Sequence, residues 1–317
     1  LPSPPLPSSP KFSIELPAGI LVGEEPKVAW FNTVAGRWMT DPILEASYEP
    51  ETRILHFHTV AIGAIAIVQD KLADLCYKEW SLCPVMPDSV RFSLTTPRFQ
   101  VTIVVKDCKC KLLSPTLPAL SEFNGNWYDP AELLFGLKSA GINLMPEDAD
   151  SAKAKLDGAE VSGLTLKNKK IEEKVCDELS YLCTSFDFAS SRWNNSIGGS
   201  RCCFQIKETD AFTGGSELQD YSMGMIELDE VSKSAKDAPG IGSVVGDVKC
   251  SLINGGEENS RAFDDELVAG SSTELYLGKC VEKTSNPEAM HRVETNNDNL
   301  SSTVASLLRL SRPFSFC

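Results

Sequence analysis

Short runs of β-branched and aromatic residues recur along this chain, and Pro, Gly or Asp residues mark the turns between them. In the first half, the runs are ILEASYEP (43–50), ILHFHTV (54–60), AIGAIAIVQD (61–70), SVRFSLTT (89–96) and FQVTIVVKDCKCKLL (99–113). Several strands at this spacing favour an antiparallel β-sandwich over an α/β sheet, in which helices would alternate with strands. We therefore predict a mainly β fold of the α+β type.

The second half repeats the strand pattern after about residue 185. The runs are SFDFASSRW (185–193), RCCFQIKE (201–208), SMGMIELDEV (222–231), DVKCSLI (247–253) and TELYLGKCVE (273–282). The intervening NNSIGGS (194–200) has the Asn and Gly content of a hairpin turn. We predict five further strands here.

Three segments instead have helical periodicity. Residues 129–146 begin with Asp129 as N-cap and Pro130 at the first helical position, and Gly141 marks the stop. Residues 167–183 place Val175, Leu179 and Leu182 on one apolar face, which predicts a helix that docks on a sheet. Residues 297–316 predict a capped helix that Pro313 ends.

The length of 317 residues predicts two domains. We expect a Pro-rich extended linker at 1–24 and a first β-sandwich-like domain with a closing helix at 25–150. A second β-rich domain at 151–317 would carry a helix at each end, so that each domain has an accompanying amphipathic helix. Because the sequence starts LPSPPLPSSP without an initiator Met, we also expect a piece of a longer polypeptide.

Charge and hydropathy exclude several classes of protein. The formal net charge of −14 makes nucleic acid and anionic lipid unfavourable partners. No apolar run approaches the roughly 18 residues of a membrane-spanning helix, and no signal-peptide pattern opens the sequence. We therefore predict no nucleic-acid or membrane partner and a cytoplasmic, intracellular protein.

The candidate catalytic and metal-binding groups lack the companions that such sites need. His56 and His58 would face the same side of a strand, but no third metal ligand follows at a recognisable spacing. Cys108 and Cys110 share that geometry without a resolving thiol motif, and the chain's 11 cysteines include no CxxC pair. Since no GxSxG or P-loop signature is present either, we predict no enzyme, no cofactor and no metal.

Polar, aromatic and proline residues lie unusually close together in the stretch IAIVQDKLADLCYKEWSLCP (65–84). We interpret it as a structural strand-turn-strand corner, in which aromatic side chains anchor the first domain and a proline stops the strand. Asp74 would belong to a solvated turn. The predicted corner residues are Gln69, Asp70, Tyr77, Trp80 and Pro84.

The last residues of the sequence suggest a possible interface. Arg309 and Arg312 lie near a helix end, where cations favour the helix dipole and can bind carboxylates. Phe314 and Phe316 follow them as apolar residues. The alternative is that this segment packs back into its own domain, and the sequence leaves both readings open.

Four segments, in order, resemble the dynein axonemal intermediate chain 7 family, also called cancer susceptibility candidate 1. They are residues 38–84, AELLFGLKSAGINLMPEDAD (131–150), FASSRWN (188–194) and SLLRLSRPFSF (306–316). The resemblance covers most of residues 30–205 and about the last twenty. In that family the VQD segment, the W-x-L-x-P corner and the GINLMP helix end are structural marks.

The resemblance implies a non-catalytic accessory subunit of an axonemal inner-arm dynein. Its implied partners are dynein intermediate and heavy chains and the tubulin of the doublet microtubule, and its implied location is the axoneme of a cilium or flagellum. The chain shows no WD-repeat spacing, so a propeller is not predicted. The β architecture alone leaves an alternative, a β-sandwich module outside the axoneme that binds a ligand or peptide.

Overall fold

A computed structural model describes residues 9–23, 26–86, 88–150, 155–156, 159–160, 169–191, 201–209, 222–229, 247–253, 277–282 and 285–317. Its strands pair antiparallel throughout these ranges, and the mainly β fold class is confirmed. None of the helices within these ranges combines the length and the apolar character that crossing a membrane requires.

The first part of the fold is a small module of two three-stranded sheets. One sheet has the order β1–β5–β4, formed by Lys11–Glu15, Ile54–Thr59 and Ile43–Glu49. The other has the order β3–β2–β6, formed by Arg37–Met39, Lys27–Asn32 and Ile65–Val68. Their shared core consists of Leu16, Val28, Leu55 and Phe57. Strand β1 lies within the segment that the sequence predicts as an extended linker.

The larger part of the described structure is an eight-stranded antiparallel sheet. Its strands are β7 Glu79–Met86, β8 Ser89–Thr95, β9 Gln100–Lys106, β10 Lys109–Ser114, β13 Phe186–Ser190, β14 Arg201–Glu208, β15 Ser222–Asp229 and β16 Asp247–Ile253. Their order in the sheet is β10–β9–β8–β7–β13–β14–β15–β16. Alternate residues of β8 and β9 are buried, as the two-residue period of a strand requires. A short pair, β11 (Lys155–Leu156) and β12 (Ala159–Glu160), lies outside this sheet.

Among the described residues, five α-helices accompany the sheets: α1 Pro130–Ala140, α2 Lys169–Leu182, α3 Leu277–Glu282, α4 Pro287–Glu294 and α5 Asp298–Ser311. Helix α1 packs on β10, α5 packs on β9 and on α1, and α2 packs along α5. The predicted start and stop of α1 are confirmed, because Asp129 caps it and Gly141 ends it in the left-handed conformation at φ +108°. Asn297 caps α5 through its side chain, which accepts from the Asn299 N–H.

Two local predictions were wrong. Residues 277–282 are helix α3 rather than part of a strand, because Leu277 and Val281, four residues apart, are both buried and Glu178 accepts the Gly278 N–H at 3.0 Å. Pro84 does not stop its strand, since β7 continues past it to Met86 and Pro84 pairs with Val90 of β8. The predicted hairpin turn at 194–200 lies outside the described residues.

The main core runs through both halves of the sequence. Strand β7 pairs with β13 at Leu82 and Phe188, so one sheet joins residues on either side of position 150. A single hydrophobic cluster extends from Leu75 to Phe316 and includes residues of α1, α2 and α5. The domain division at residue 150 therefore stays a prediction, while the sheet and the core are continuous across it.

Candidate functional site

The predicted corner forms one wall of a buried contact site between distant parts of the chain. Its other walls are the turn between β8 and β9, the loop after α1, the start of α2 and the segment 312–317. We call this site the junction. Its residues are Asp74, Tyr77, Trp80, Arg98, Gly141, Asn143, Glu172, Arg312, Phe314 and Phe316.

A carboxylate–guanidinium pair fixes the first wall. Asp74 is 1% exposed and accepts two hydrogen bonds from Arg98, from Nε at 2.9 Å and from Nη2 at 2.6 Å. The backbone N–H of Asn143 donates a third, at 2.8 Å. Arg98 also donates to the carbonyl of Gly141 at 2.7 Å. The prediction that Asp74 belongs to a solvated turn was therefore wrong. A charge with this many hydrogen-bond partners can be buried.

Neighbouring polar groups fasten the loop after α1 to the same wall. Gln69 donates from Nε2 to the Gly141 carbonyl at 2.9 Å. Asn143 donates from Nδ2 to the Lys71 carbonyl at 2.9 Å. Asp70 instead acts locally, since its carboxylate accepts the Leu72 N–H and closes an Asx turn. Among the predicted corner residues, Gln69 thus makes a long-range contact and Asp70 shapes the turn.

Lys71 forms a charged cluster with two carboxylates at the rim of the junction. Its Nζ lies 2.9 Å from Asp150 and 3.0 Å from Glu147. The hydrogen bond to Asp150, followed by that to Glu147, raises the pKa of Lys71. Burial acts to raise the pKa of Asp150, but the Glu147 N–H and Lys71 outweigh it, and the pKa is lowered. Both groups therefore remain charged across the physiological pH range.

Tyr77 connects the corner to the end of α5. Its ring is fully buried, its hydroxyl donates to the Ser311 carbonyl at 2.9 Å, and its backbone N–H donates to the Phe316 carbonyl at 2.6 Å. Burial, with a further contribution from the Asp74 charge, raises the pKa of the Tyr77 phenol well above its ordinary value. The hydroxyl therefore remains protonated and serves as a hydrogen-bond donor.

The aromatic residues of the segment 312–317 fill the space beside the corner. Phe314 meets Trp80 edge to face, with ring centroids 4.9 Å apart. Phe316 is buried, and the guanidinium of Arg312 lies 5.4 Å from its ring centroid. Edge-to-face and cation–π contacts of this kind add to the stabilisation from burial itself.

Arg312 ties this segment to α2. It adopts φ +50° as the left-handed cap of α5, and its Nε lies 3.0 Å from Glu172, whose side chain is 3% exposed. It also pairs with Asp148, in the loop after α1. Burial alone would lower the pKa of Arg312, but the charges of Glu172 and Asp148 outweigh it and raise the pKa. Glu172 further accepts the Ser315 N–H at 3.3 Å.

The structure thus brings most of the sequence-predicted site residues together. Tyr77, Trp80, Arg312, Phe314 and Phe316 meet in the junction. Gln69 contacts it through Gly141, and Asp70 shapes the adjoining turn. Two predicted residues lie elsewhere. Pro84 is within β7, and Arg309 pairs with Asp177 on the exposed side of α5. Sequence reasoning missed Asp74, Arg98, Asn143 and Glu172, whose partners are far away in the sequence and leave no local signal.

The candidate pairs His56/His58 and Cys108/Cys110 do not form a shared metal or redox site in the described structure. His56 contacts Ser13 at 2.7 Å and Glu49 at 3.3 Å, while His58 contacts the Ser9 carbonyl at 3.1 Å. Within the described ranges, no three His, Cys, Asp or Glu side chains are arranged to hold a metal. Cys110 is buried, and burial raises the pKa of its thiol to about 12.

Known proteins with similar sequences all carry one name. Dynein axonemal intermediate chain 7 of Homo sapiens is 24% identical over 311 residues, covering 96% of this chain and 39% of that protein. Its Danio rerio counterpart is 30% identical over 182 residues, covering 57% of this chain and 24% of that protein. The Ciona intestinalis homolog is 29% identical over 199 residues, covering 62% of this chain and 26% of that protein.

The chain therefore spans less than half the length of these curated relatives. No protein-family model matches it. The human alignment nevertheless covers 96% of this chain, and all three alignments lead to a protein of the same name. The resemblance that the motifs predict is confirmed, because this chain is similar to dynein axonemal intermediate chain 7 of several species.

Proposed function

We propose that the chain is a non-catalytic structural or regulatory accessory subunit of an axonemal inner-arm dynein complex in motile cilia or flagella. The observation that carries the proposal is its similarity, over 96% of its length, to human dynein axonemal intermediate chain 7. Because the chain matches only part of that protein, the proposal concerns the role of this region within such a subunit.

The chemistry of the junction supports a structural role. Each of its charged side chains is engaged by another part of the same chain: Asp74 by Arg98, and Glu172 by Arg312. The Tyr77 hydroxyl is likewise used, as a donor to the Ser311 carbonyl. Groups held in this way stabilise one geometry, and they do not converge on a common point where a substrate atom would react.

We assign a structural role to the corner and to the segment 312–317, which hold parts of the fold together. In this arrangement Phe314 and Phe316 hold the end of α5 against β7, so they are available to another protein only if the segment leaves the core. Arg309 differs from them because it lies on the exposed side of α5 with Asp177, and it is the member of the predicted interface that a partner can reach without unfolding.

The partners that we propose are dynein intermediate and heavy chains and, through them or directly, the doublet microtubule. The net charge of −14 disfavours direct docking on the acidic tails of tubulin. We therefore expect the dynein chains to be the main contact. A direct tubulin contact would have to use a limited surface and would weaken little with added salt.

Affinity purification of the tagged full-length protein from ciliated cells, followed by mass spectrometry and imaging, tests the proposal. Recovery of inner-arm dynein chains and localisation to the axoneme are the expected results. An Arg309→Glu variant and a Lys109→Glu variant make a matched pair, since each reverses one charge that lies in a half-exposed ion pair, with Asp177 and with Asp129 respectively. A protein outside cilia, with no dynein partner in any preparation, would contradict the proposal and favour the ligand- or peptide-binding module.

Co-sedimentation with taxol-stabilised microtubules separates the tubulin contact from the dynein contacts. Intact microtubules and microtubules without their acidic tails serve as the two substrates. Because the net charge of −14 is repelled by the acidic tails, we expect the microtubules without tails to bind at least as well as the intact ones. If the protein binds intact microtubules but not those without tails, the electrostatic argument is refuted. The proposal of a dynein partner would still be tested by the purification experiment alone.

A further inference from the structure

Strand β1 is an open edge of the small module. The order β1–β5–β4 gives β1 a single neighbour among the described strands, and all five of its residues, Lys11–Glu15, are exposed. An exposed edge presents unpaired backbone N–H and C=O groups to any strand that can align with it.

The hydrogen bonds to β5 show which backbone groups of β1 point outward. The Leu16 N–H donates to the Arg53 carbonyl at 2.9 Å, and the Pro10 carbonyl accepts the Thr59 N–H at 3.3 Å. In an antiparallel pair, the residues that bond to one neighbour alternate with those that face away. Since residues 10 and 16 face β5, the backbone groups of Lys11, Ser13 and Glu15 face the open edge.

The apolar surface of the module also continues to this edge. Phe12 and Ile14 pair with Phe57 and Leu55, which are buried on the core side of the sheet. The two β1 side chains nevertheless remain 39% and 42% exposed. A further strand beside β1 would cover both side chains and would also bond to the outward backbone groups, which a helix could not do.

Two copies of β1 are complementary when they pair antiparallel with their Ser13 residues opposite each other. In that antiparallel alignment, Lys11 of one copy lies opposite Glu15 of the other, and Phe12 lies opposite Ile14. We propose that this edge is an interface between two copies of the chain, joined through β1 in a continuous six-stranded sheet β4–β5–β1–β1–β5–β4. The pairing is isologous, as a two-fold dimer requires.

In this pairing, every outward backbone N–H and C=O group of Lys11, Ser13 and Glu15 would form a hydrogen bond. Ser13 would bond with Ser13 of the other copy, and each Lys11 with a Glu15, which gives about six backbone hydrogen bonds. Phe12 and Ile14 would meet as a non-hydrogen-bonded pair, in which side chains approach most closely. Because the contact is only one strand wide, we expect a weak dimer with a dissociation constant of about 10 µM to 1 mM.

Sedimentation of the 317-residue chain over a range of concentrations tests the dimer, and a charge swap tests the register. Lys11→Glu and Glu15→Lys each place like charges opposite each other twice, and each should raise the dissociation constant by about tenfold. The double variant restores the complementarity at the original net charge of −14 and should dimerise as the parent does. A protein that stays monomeric up to about 1 mM, or a double variant no better than the singles, would overturn the proposal.

Amide hydrogen exchange provides a readout that a misfolded variant cannot imitate. With rising protein concentration, the N–H groups of Lys11, Ser13 and Glu15 should become protected, whereas those of Phe12 and Ile14 should not change because they already bond to β5. Ser13→Pro removes one outward donor and should weaken the dimer while the module stays folded. Protection of some other strand edge would refute β1 as the interface, even if the chain dimerises.

Discussion

Removal of the Arg98 guanidinium is the sharpest test of the junction. Arg98→Ala deletes both charge-assisted hydrogen bonds to Asp74 and the bond to the Gly141 carbonyl. The carboxylate, 1% exposed, would keep only the Asn143 N–H. Breaking a buried ion pair by removal of one partner costs about 3–5 kcal/mol, because the remaining charge stays buried without compensation.

Such a loss is large against the total stability of a protein, about 5–15 kcal/mol. Urea unfolding followed by tryptophan fluorescence would measure it, since Trp80 lies in the same site, and the midpoint should fall without a change of slope. Lys109→Ala is the matched control: it breaks the Lys109–Asp129 pair, in which both side chains are about half exposed, and should leave the midpoint unchanged.

The double variant Asp74→Leu/Arg98→Leu distinguishes a buried charge from a packing defect. If the cost of Arg98→Ala comes from the orphaned carboxylate, the double variant should be more stable than the single variant, because it leaves no unpaired charge at positions 74 and 98. An Arg98→Ala midpoint within experimental error of the parent would show that Asp74 finds water or another partner. The reasoning about the junction would then be wrong.

Three further changes have expected outcomes. Tyr77→Phe leaves the Ser311 carbonyl without its donor and should lower the free energy of unfolding by about 1–3 kcal/mol in urea titrations; an unchanged free energy would contradict this. Arg312→Ala leaves Glu172 buried and unpaired, so limited proteolysis should cut the segment 312–317 faster than in the parent; equal rates would contradict this. Burial raises the pKa of Asp187 in the folded protein. The neutral, protonated side chain therefore favours the folded state below about pH 4, and this stabilisation is lost as the pH rises through the folded-state pKa. Asp187→Asn should therefore gain melting temperature relative to the parent at about pH 7 but not at about pH 3.5, and an equal difference at both values would refute the shift.

The elements that the sequence predicted well are those with local signals. Helix α1 carries its own start and stop at Asp129 and Gly141, and both are visible within a dozen residues. Strands β8 and β9 alternate apolar and polar residues, a period that is independent of their neighbours. Residues 277–282 misled the prediction because six residues are too few to display the helical period, and the predicted run 273–282 also contains Thr273, Tyr276 and Val281, which favour strands.

The junction could not be predicted because its contacts join residues that are far apart in the sequence. Asp74 and Arg98 are 24 residues apart, and Arg312 and Glu172 are 140 apart. Whether a carboxylate is solvated or buried depends on such partners, so the composition of the turn around Asp74 gave the wrong answer. The same holds for β7 and β13, whose register is set by the packing of Leu82 and Phe188 and not by any turn between them.

The exposed apolar side chains are unevenly distributed, and this bears on where the proposed partners would bind. The segment 312–317 contributes Phe314 and Phe316 to the main core, so its use as an interface would cost the burial of two aromatic rings and the Arg312–Glu172 pair. The small module, in contrast, holds most of the large apolar side chains that the described residues expose, among them Phe12 and Trp38, around a four-residue core. Covering these side chains would stabilise both the module and the complex. We therefore expect contacts with other subunits to map first to residues 9–68, and only then to the junction.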